Sequence, residues 1–164
     1  MDVLTLLRDQ AAEADDLLMQ VFALVTAEQG AWRLPSGTAN AITPTFVHAY
    51  QSEDQLITRM SKRPPLFVTD GWGALLGFDP AAPWEEAAPL DPARCRNYAR
   101  AVRTATEAFL AAFDPAMLTR GIATSRGGQL LGEHLLAVLV IHKSTHMGEI
   151  AALLGCQGAR GFPF

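Results

Sequence analysis

Two histidines, His142 and His146, stand four residues apart in the most apolar stretch of the chain, LLAVLVIHKSTHMGEIAALLG. In an α-helix, residues four apart lie one turn apart on the same face, so two imidazoles at this spacing can bind one metal ion. A third ligand must come from elsewhere in the chain, which has only 4 histidines. His48 is the first candidate, so the pair predicts a three-histidine metal site.

A carboxylate follows on the same predicted helix. Glu149 comes seven residues after His142, about two full turns, where it could orient an imidazole or act as a base. Three neutral nitrogens leave a metal ion with open coordination positions, which is typical of a catalytic site. Imidazole ligands suit zinc, nickel, copper or iron, and zinc is the expected metal. The simplest alternative is that these histidines are buried, hydrogen-bonded core residues.

Other polar residues are weaker candidates. His134 precedes His142 by eight residues, about 12 Å along an α-helix and roughly 80° around it, so we do not expect it to bind the same ion. Gln51 and Gln55 follow His48 by one and two turns, and a pocket lining or a solvated helix face explains them equally well. Four arginines could face an acidic substrate but are as consistent with surface positions, namely Arg33, Arg59, Arg126 and Arg160.

The elements that must position these residues are helices. Apolar residues recur at three- and four-residue steps after the cap residue Asp2, which predicts a first helix from about Val3 to Glu28. A second helix carries His48 and stops at Arg63-Pro64-Pro65. Thr43 before Pro44 predicts its N-cap, and the alternative, earlier starts are Ser36 and Thr38.

Two further helices follow a long connection. The third is predicted to open at Asp91-Pro92 and to stop at Asp114-Pro115. The fourth is predicted to open after Thr124-Ser125 and the Gly127-Gly128 pair and to run to Gly155 as its C-cap. No alternation of polar and apolar residues is long enough to predict a β-sheet.

Connection lengths predict how the four helices are arranged. Residues 61 to 90, rich in proline, glycine and aromatic residues, can carry the chain back along the ~30 Å of a 20-residue helix, whereas short links make neighbours antiparallel. We therefore predict an all-α fold, a four-helix bundle running up-down-down-up with a long crossover between helices 2 and 3, as a single domain over residues 1–164. Helices 2 and 4 are then antiparallel, which brings His48 to a depth similar to that of His142 and His146.

Composition limits the function classes. The chain is 49% hydrophobic and 18% charged, against roughly 25% charged in an average soluble domain, which favours a homodimer that covers part of the surface. A net charge of -4 with scattered Lys and Arg argues against binding to nucleic acid.

Cysteine usage and apolar patterning predict the compartment. Cys95 and Cys156 are too few for a disulfide framework and are expected to be free thiols, with Cys156 a small buried residue beside a helix end. The N-terminus lacks the pattern of a signal peptide. The longest apolar run, Leu135 to Ile141, is far shorter than the ~20 residues that span a bilayer. We expect a cytoplasmic protein that does not contact a membrane.

Two segments resemble a known family. WRLPSGTANAITPTFVHAY is similar to the tryptophan, glycine, asparagine and histidine pattern at the second helix of the DinB superfamily, the DinB/YfiT-like metalloenzymes. HKSTHMGEIAALLG matches that family's closing signature H-x-x-x-H-x-G-[EQ]-I, and the tail GCQGARGFPF is similar to one of its branches. The resemblance covers essentially the whole chain. It implies an up-down-down-up bundle, frequently dimeric, with a metal held at His48, His142 and His146.

The resemblance implies two classes of function. The superfamily includes S-transferases that use bacillithiol or mycothiol, a mycothiol-dependent isomerase and hydrolases. The first prediction is therefore a metal-dependent enzyme that transfers a low-molecular-weight thiol or hydrolyses a small-molecule substrate, with Glu149 beside the metal and zinc or nickel bound. The alternative is a non-enzymatic stress-response or ligand-binding bundle in which the metal is structural.

Overall fold

A computed structural model describes residues 2–35, 37–79, 81, 89–124 and 127–162, and these residues are mostly helical. The all-α prediction therefore agrees with the bulk of the fold. Four long helical stretches carry most of the buried side chains, and shorter elements join them. None of the described helices combines the length and the apolar character that crossing a bilayer requires.

The first helix, α1, spans Val3–Ala23. Asp2 caps it as predicted, since its carboxylate accepts a hydrogen bond from the backbone N–H of Thr5 at 2.9 Å. The predicted end at Glu28 is wrong. Thr26 and Gln29 exchange side-chain-to-backbone hydrogen bonds in a capping box that begins a separate short helix, α2, at Ala27–Ala31.

The helix that carries His48, α3, spans Ile42–Ser61 and begins before the predicted cap. Thr43 lies inside the helix, where its hydroxyl donates to the Gly30 carbonyl oxygen at 3.1 Å and ties α3 to α2. Pro44 still falls in the first turn, where its missing N–H costs no hydrogen bond. Of the alternative starts, Thr38 lies outside the helix and Ser36 lies outside the described residues.

The crossover contains two short helices, α4 at Leu66–Thr69 and α5 at Trp72–Leu76. Asp54 of α3 holds α4 in place, because its carboxylate accepts the backbone N–H groups of Leu66 at 3.0 Å and Phe67 at 2.9 Å. Residues 80 and 82–88 of this connection lie outside the described residues. The described part of the crossover thus packs on the helices.

The third long helix, α6, spans Pro92–Ala111 and begins as predicted, with Asp91 accepting from the N–H of Ala93. A 3₁₀ helix, Pro115–Thr119, follows it. The chain then forms an antiparallel hairpin of β1, Gly121–Thr124, and β2, Gly127–Leu130. The sequence did not predict this hairpin, because each strand has only 4 residues, too few for a readable alternation.

The last helical stretch is continuous but not uniform. It consists of α7 at Leu131–Leu136, a π-helical segment at Ala137–His142 and α8 at Lys143–Cys156. The stretch opens after the Gly127-Gly128 pair, as predicted, but only at Leu131, because the hairpin occupies the residues up to Leu130; residue 125 lies outside the described residues. The predicted C-cap is also displaced, since Gly155 lies inside α8 and Gln157 is the capping residue.

Buried side chains form two hydrophobic clusters to which the same long helices contribute. The first cluster includes Phe22, Phe46 and Ile150, and the two phenylalanine rings stack with centroids 3.7 Å apart. The second includes Leu4 and Leu135. The end of α1, the start of α3 and the second half of α8 therefore share one cluster, whereas the start of α1 packs with α7 in the other.

Candidate metal centre

His142 and His146 lie where the π-helical segment passes into α8. His142 is the last residue of the π-helical segment, and His146 lies in the first turn of α8. Their Nε2 atoms are 3.0 Å apart. The two histidines therefore lie on one face of the helix, as their four-residue spacing predicts, because the backbone from His142 onward is α-helical.

His48 approaches this pair from the second turn of α3. Its ring centroid lies 5.1 Å from that of His142 and 5.2 Å from that of His146, and both pairs of rings meet edge to face. One nitrogen from each of the three rings can be chosen so that all lie within 4.8 Å of one another, and all three residues are half-buried. The structure thus brings together the three predicted side chains from two separate helices.

Glu149 contacts His146 rather than His142. Its Oε2 lies 2.9 Å from His146 Nδ1, three residues back along α8. The sequence predicted that Glu149 could orient an imidazole without naming which one, and the contact is with His146. Because an ionised carboxylate only accepts hydrogen bonds, this contact favours the neutral form of His146 with its proton on Nδ1, which leaves the lone pair on Nε2, the atom that faces His142.

Burial sets the protonation state of His48. Removal from water, the largest effect, and the neighbouring His146 lower the pKa of His48, while Glu149 opposes them by raising it. The neutral ring is the form that binds a metal. His48 therefore stays available as a ligand to a lower pH than an exposed histidine would.

The donor set fits a divalent transition metal. Two nitrogens that each lie about 2.0–2.1 Å from one tetrahedral ion are about 3.3 Å apart, and the observed separation of the His142 and His146 Nε2 atoms is 3.0 Å. Imidazole nitrogens are ligands for zinc, nickel, copper and iron. Three such donors would leave at least one coordination position for water or a substrate.

A buried ion network, which sequence reasoning missed, is centred on Lys143, the residue after His142. Lys143 is 3% exposed, and its Nζ lies 2.5 Å from Asp15 Oδ1 of α1 and 2.6 Å from Glu53 Oε2 of α3. Thr106 of α6 donates to Glu53 at 2.5 Å. Burial opposes the charge, but Glu53 and Asp15 outweigh it and raise the pKa of Lys143. A lone lysine in the most apolar stretch was the signal that could have revealed this network.

The remaining predicted residues are distributed as follows. Gln51 is buried and Gln55 is exposed, so a solvated helix face accounts for Gln55 but not for Gln51. Cys95 is a buried free thiol, whereas Cys156 is free but exposed, which contradicts the prediction that it is buried. Arg33 is half-buried, Arg59 and Arg160 are exposed, and Arg126 lies outside the described residues.

The fold and the site together define a class of protein: a helical protein whose long helices bring three imidazoles to one point. The family model described as the DinB superfamily matches residues 10–150. The chain therefore belongs to the DinB superfamily. This agrees with the resemblance of the two histidine-containing segments.

A solved structure has the same fold. The crystal structure of a conserved protein from Enterococcus faecalis superposes with a TM-score of 0.78 and 17% sequence identity, covering 93% of this chain and 95% of that one. At this identity the likeness establishes the fold alone. No curated protein matches the chain significantly.

Proposed function

We propose that this protein is a metal-dependent enzyme in which His48, His142 and His146 hold one divalent transition metal, with zinc expected and nickel the alternative. The observation that carries the proposal is the convergence of three half-buried imidazole nitrogens within 4.8 Å. Membership of a superfamily with metalloenzymes supports it. Glu149 then acts on His146, fixing the orientation of that ring.

The chemistry follows from the open coordination position. A bound ion would lower the pKa of a thiol or a water molecule so that it is a strong nucleophile near neutral pH. Other residues of the chain would keep the ligands neutral and in position. Burial keeps His48 neutral, and the ion pairs of Lys143 with Asp15 and Glu53 anchor the residue next to His142 to α1 and α3. We infer either transfer of a low-molecular-weight thiol or hydrolysis of a small substrate.

We also propose the up-down-down-up arrangement for the four long helical stretches, within a single domain. Two cross-helix contacts support it. Arg8, early in α1, donates to the carbonyl oxygen of Leu110, late in α6, whereas Phe22, late in α1, stacks on Phe46, early in α3. Both contacts indicate that α1 runs opposite to α3 and α6.

In addition, we propose a homodimer, for which light scattering should give twice the monomer mass.

Thiol binding to cobalt-loaded protein tests the proposed reaction. Cobalt(II)-loaded wild type is titrated with bacillithiol, mycothiol, glutathione and cysteine, and a thiolate-to-cobalt absorption band reports coordination. We expect one of these thiols to produce the band, or else metal-dependent hydrolysis of 4-nitrophenyl acetate, and we expect His146→Ala to lose either signal. Cobalt-loaded protein that neither binds a thiol nor hydrolyses the ester would contradict the proposed reaction.

A structural metal is the second candidate. The observation that favours it is that the histidines come from α3 and from the last helical stretch, so an ion there would join two helices. Thermal unfolding with and without a chelator separates the two functions. A large fall in Tm on chelation, without thiol binding or hydrolysis, favours the structural role.

A further inference from the structure

A cavity of about 220 Å³ lies against His142. It is partly open to solvent and is lined by three parts of the chain, α3, the hairpin and the stretch from α7 into the π-helical segment. The lining includes His142 and five residues from these elements, namely Ser52, Thr124, Gln129, His134 and Ala137. A side chain of the three-histidine cluster thus also forms a wall of this cavity.

The π-helical segment explains why His134 lines this cavity. In a regular α-helix, His134 would be rotated away from His142. A π-helical turn takes more residues than an α-helical turn, because its hydrogen bonds run to the fifth residue instead of the fourth. Residues 137–142 adopt that form, so His134 is brought back toward the face of His142. Among the described residues, the three-histidine cluster does not include His134, which places it beside the cluster.

The hairpin supplies the opposite wall. Ile122 pairs with Gln129 in the antiparallel register, and directly paired residues share one face of a sheet. Thr124, two residues after Ile122, lies on that same face. These three side chains are half-buried, whereas their neighbours Gly121, Ala123 and Gly128 are exposed. One face of the hairpin is therefore turned toward the helices and presents Gln129 and Thr124 to the cavity.

The lining indicates the chemistry of a ligand. Its polar groups are hydroxyls, an amide and imidazoles, and none of the described residues around it is a carboxylate, a lysine or an arginine. A charged group placed away from the metal would find no partner among the described residues of the lining and would be costly to bury there. The volume is below the roughly 300–1,000 Å³ of pockets for drug-sized ligands. The cavity suits a small molecule with an uncharged body.

We propose that this cavity is the substrate pocket of the three-histidine site and that it takes a small, uncharged carbonyl compound. Gln129 and His134 bind the polar group of the substrate, and Ala137 limits its size. The inference rests on the proposed function, because the reacting end of the substrate must meet the metal beside His142.

Two hydroxamates of different size test the pocket. Acetohydroxamate and benzohydroxamate have the same metal-binding end, and only the second carries a ring to fill the cavity. Their affinities for zinc-loaded protein are compared by calorimetry in wild type, Ala137→Leu, Gln129→Ala and the control Gln20→Ala, an exposed glutamine on α1. We expect wild type and the control to bind benzohydroxamate about tenfold more tightly, the equivalent of about 1.4 kcal/mol.

The variants separate size from hydrogen bonding. Ala137→Leu is expected to abolish the preference for benzohydroxamate while leaving acetohydroxamate binding within about twofold, since it fills the space for the ring. Gln129→Ala is expected to weaken both hydroxamates by about three- to tenfold, the loss of one hydrogen bond to the hydroxamate group that they share. Equal affinities for both hydroxamates in zinc-loaded wild type, or a preference unchanged by Ala137→Leu, would contradict the proposal that this cavity binds the substrate.

Zinc content, measured first, separates this inference from the proposed function. Wild type that does not retain zinc overturns both. If wild type retains zinc but shows no preference between the hydroxamates, the proposed substrate pocket is contradicted, whereas the proposed metal site is not.

Discussion

Lys143 places a buried positive charge one residue after His142, between carboxylates from two other helices. Such a charge is tolerated only because Asp15 and Glu53 pair with it, and they in turn require it. Arg103 adds a second cation at 3.0 Å from Asp15. The network ties the residue next to His142 to α1 and α3, so it should matter for stability as well as for the position of His142.

Removal of the lysine charge should therefore destabilise the fold strongly. Lys143→Ala leaves Asp15 and Glu53 without their shared partner, and we expect a loss of about 3–5 kcal/mol in the free energy of unfolding. Urea unfolding measures it, with Arg100→Ala, an exposed cation on α6, as the control, expected within about 0.5 kcal/mol of wild type. A loss below about 1 kcal/mol for Lys143→Ala would show that the network is not needed.

The two cysteines should differ sharply in reactivity. Burial, aided by Asp91, raises the pKa of Cys95 to about 12, so almost no thiolate is present at pH 8, whereas Cys156 is exposed. We expect Ellman's reagent to modify one thiol per folded chain and two after unfolding. Cys156→Ser should abolish the rapid reaction. Rapid modification of two thiols in the folded protein would contradict the buried position of Cys95.

At the residue scale, the sequence predicted which three histidines come together but not all of their contacts. The trio was predictable because spacing and helix direction are backbone properties that leave little freedom. The partner of Glu149 was not, because a glutamate can reach different residues of its own helix and its side-chain conformation decides between them. The ion network was not predicted because its members, Asp15, Glu53 and Lys143, are far apart in sequence.

At the scale of elements, Asp54 joins the crossover to the helices. Its carboxylate accepts from the backbone N–H groups of Leu66 and Phe67 and from the Tyr98 hydroxyl at 3.2 Å. It therefore holds α4 against α3 and α6. This fixed attachment explains how a connection rich in proline and glycine packs on the fold.

Loss of that carboxylate should release the crossover. Asp54→Ala removes three hydrogen bonds to a charged acceptor, each worth roughly 1.5–3 kcal/mol, so we expect destabilisation of at least about 2 kcal/mol and faster proteolysis between residues 62 and 78. Chemical unfolding and limited proteolysis measure the two effects. Asp70→Asn, at an exposed position, is the control, and equal proteolysis of the two variants would contradict this role of Asp54.

Some helix boundaries could be predicted from the sequence, whereas other boundaries and the helix type could not. The starts of α1 and α6 were predictable because Asp2 and Asp91 cap them through their own side chains. The hairpin and the π-helical segment were not. An apolar run such as 135–141 has the same composition in an α-helix and a π-helix, and packing against the rest of the protein decides between them.

At the scale of the whole molecule, the two hydrophobic clusters share their helices. Because α1, α3, α6 and the last helical stretch contribute to both, neither cluster can lose its packing without exposing the other. We expect metal-free protein to unfold in one cooperative transition, with fluorescence and circular dichroism giving coincident curves. Two separated transitions would contradict the single domain proposed for residues 1–164.

Metal content is the most direct test of the account, since every functional inference depends on His48, His142 and His146 binding one ion. Elemental analysis of protein reconstituted with zinc and freed of excess metal should give about one equivalent for wild type and for the matched control His134→Ala. Loss of one of three ligands should reduce this to well below half an equivalent in His48→Ala, His142→Ala and His146→Ala. Near-zero metal in wild type, or equal metal in wild type and all three variants, would contradict the metal centre.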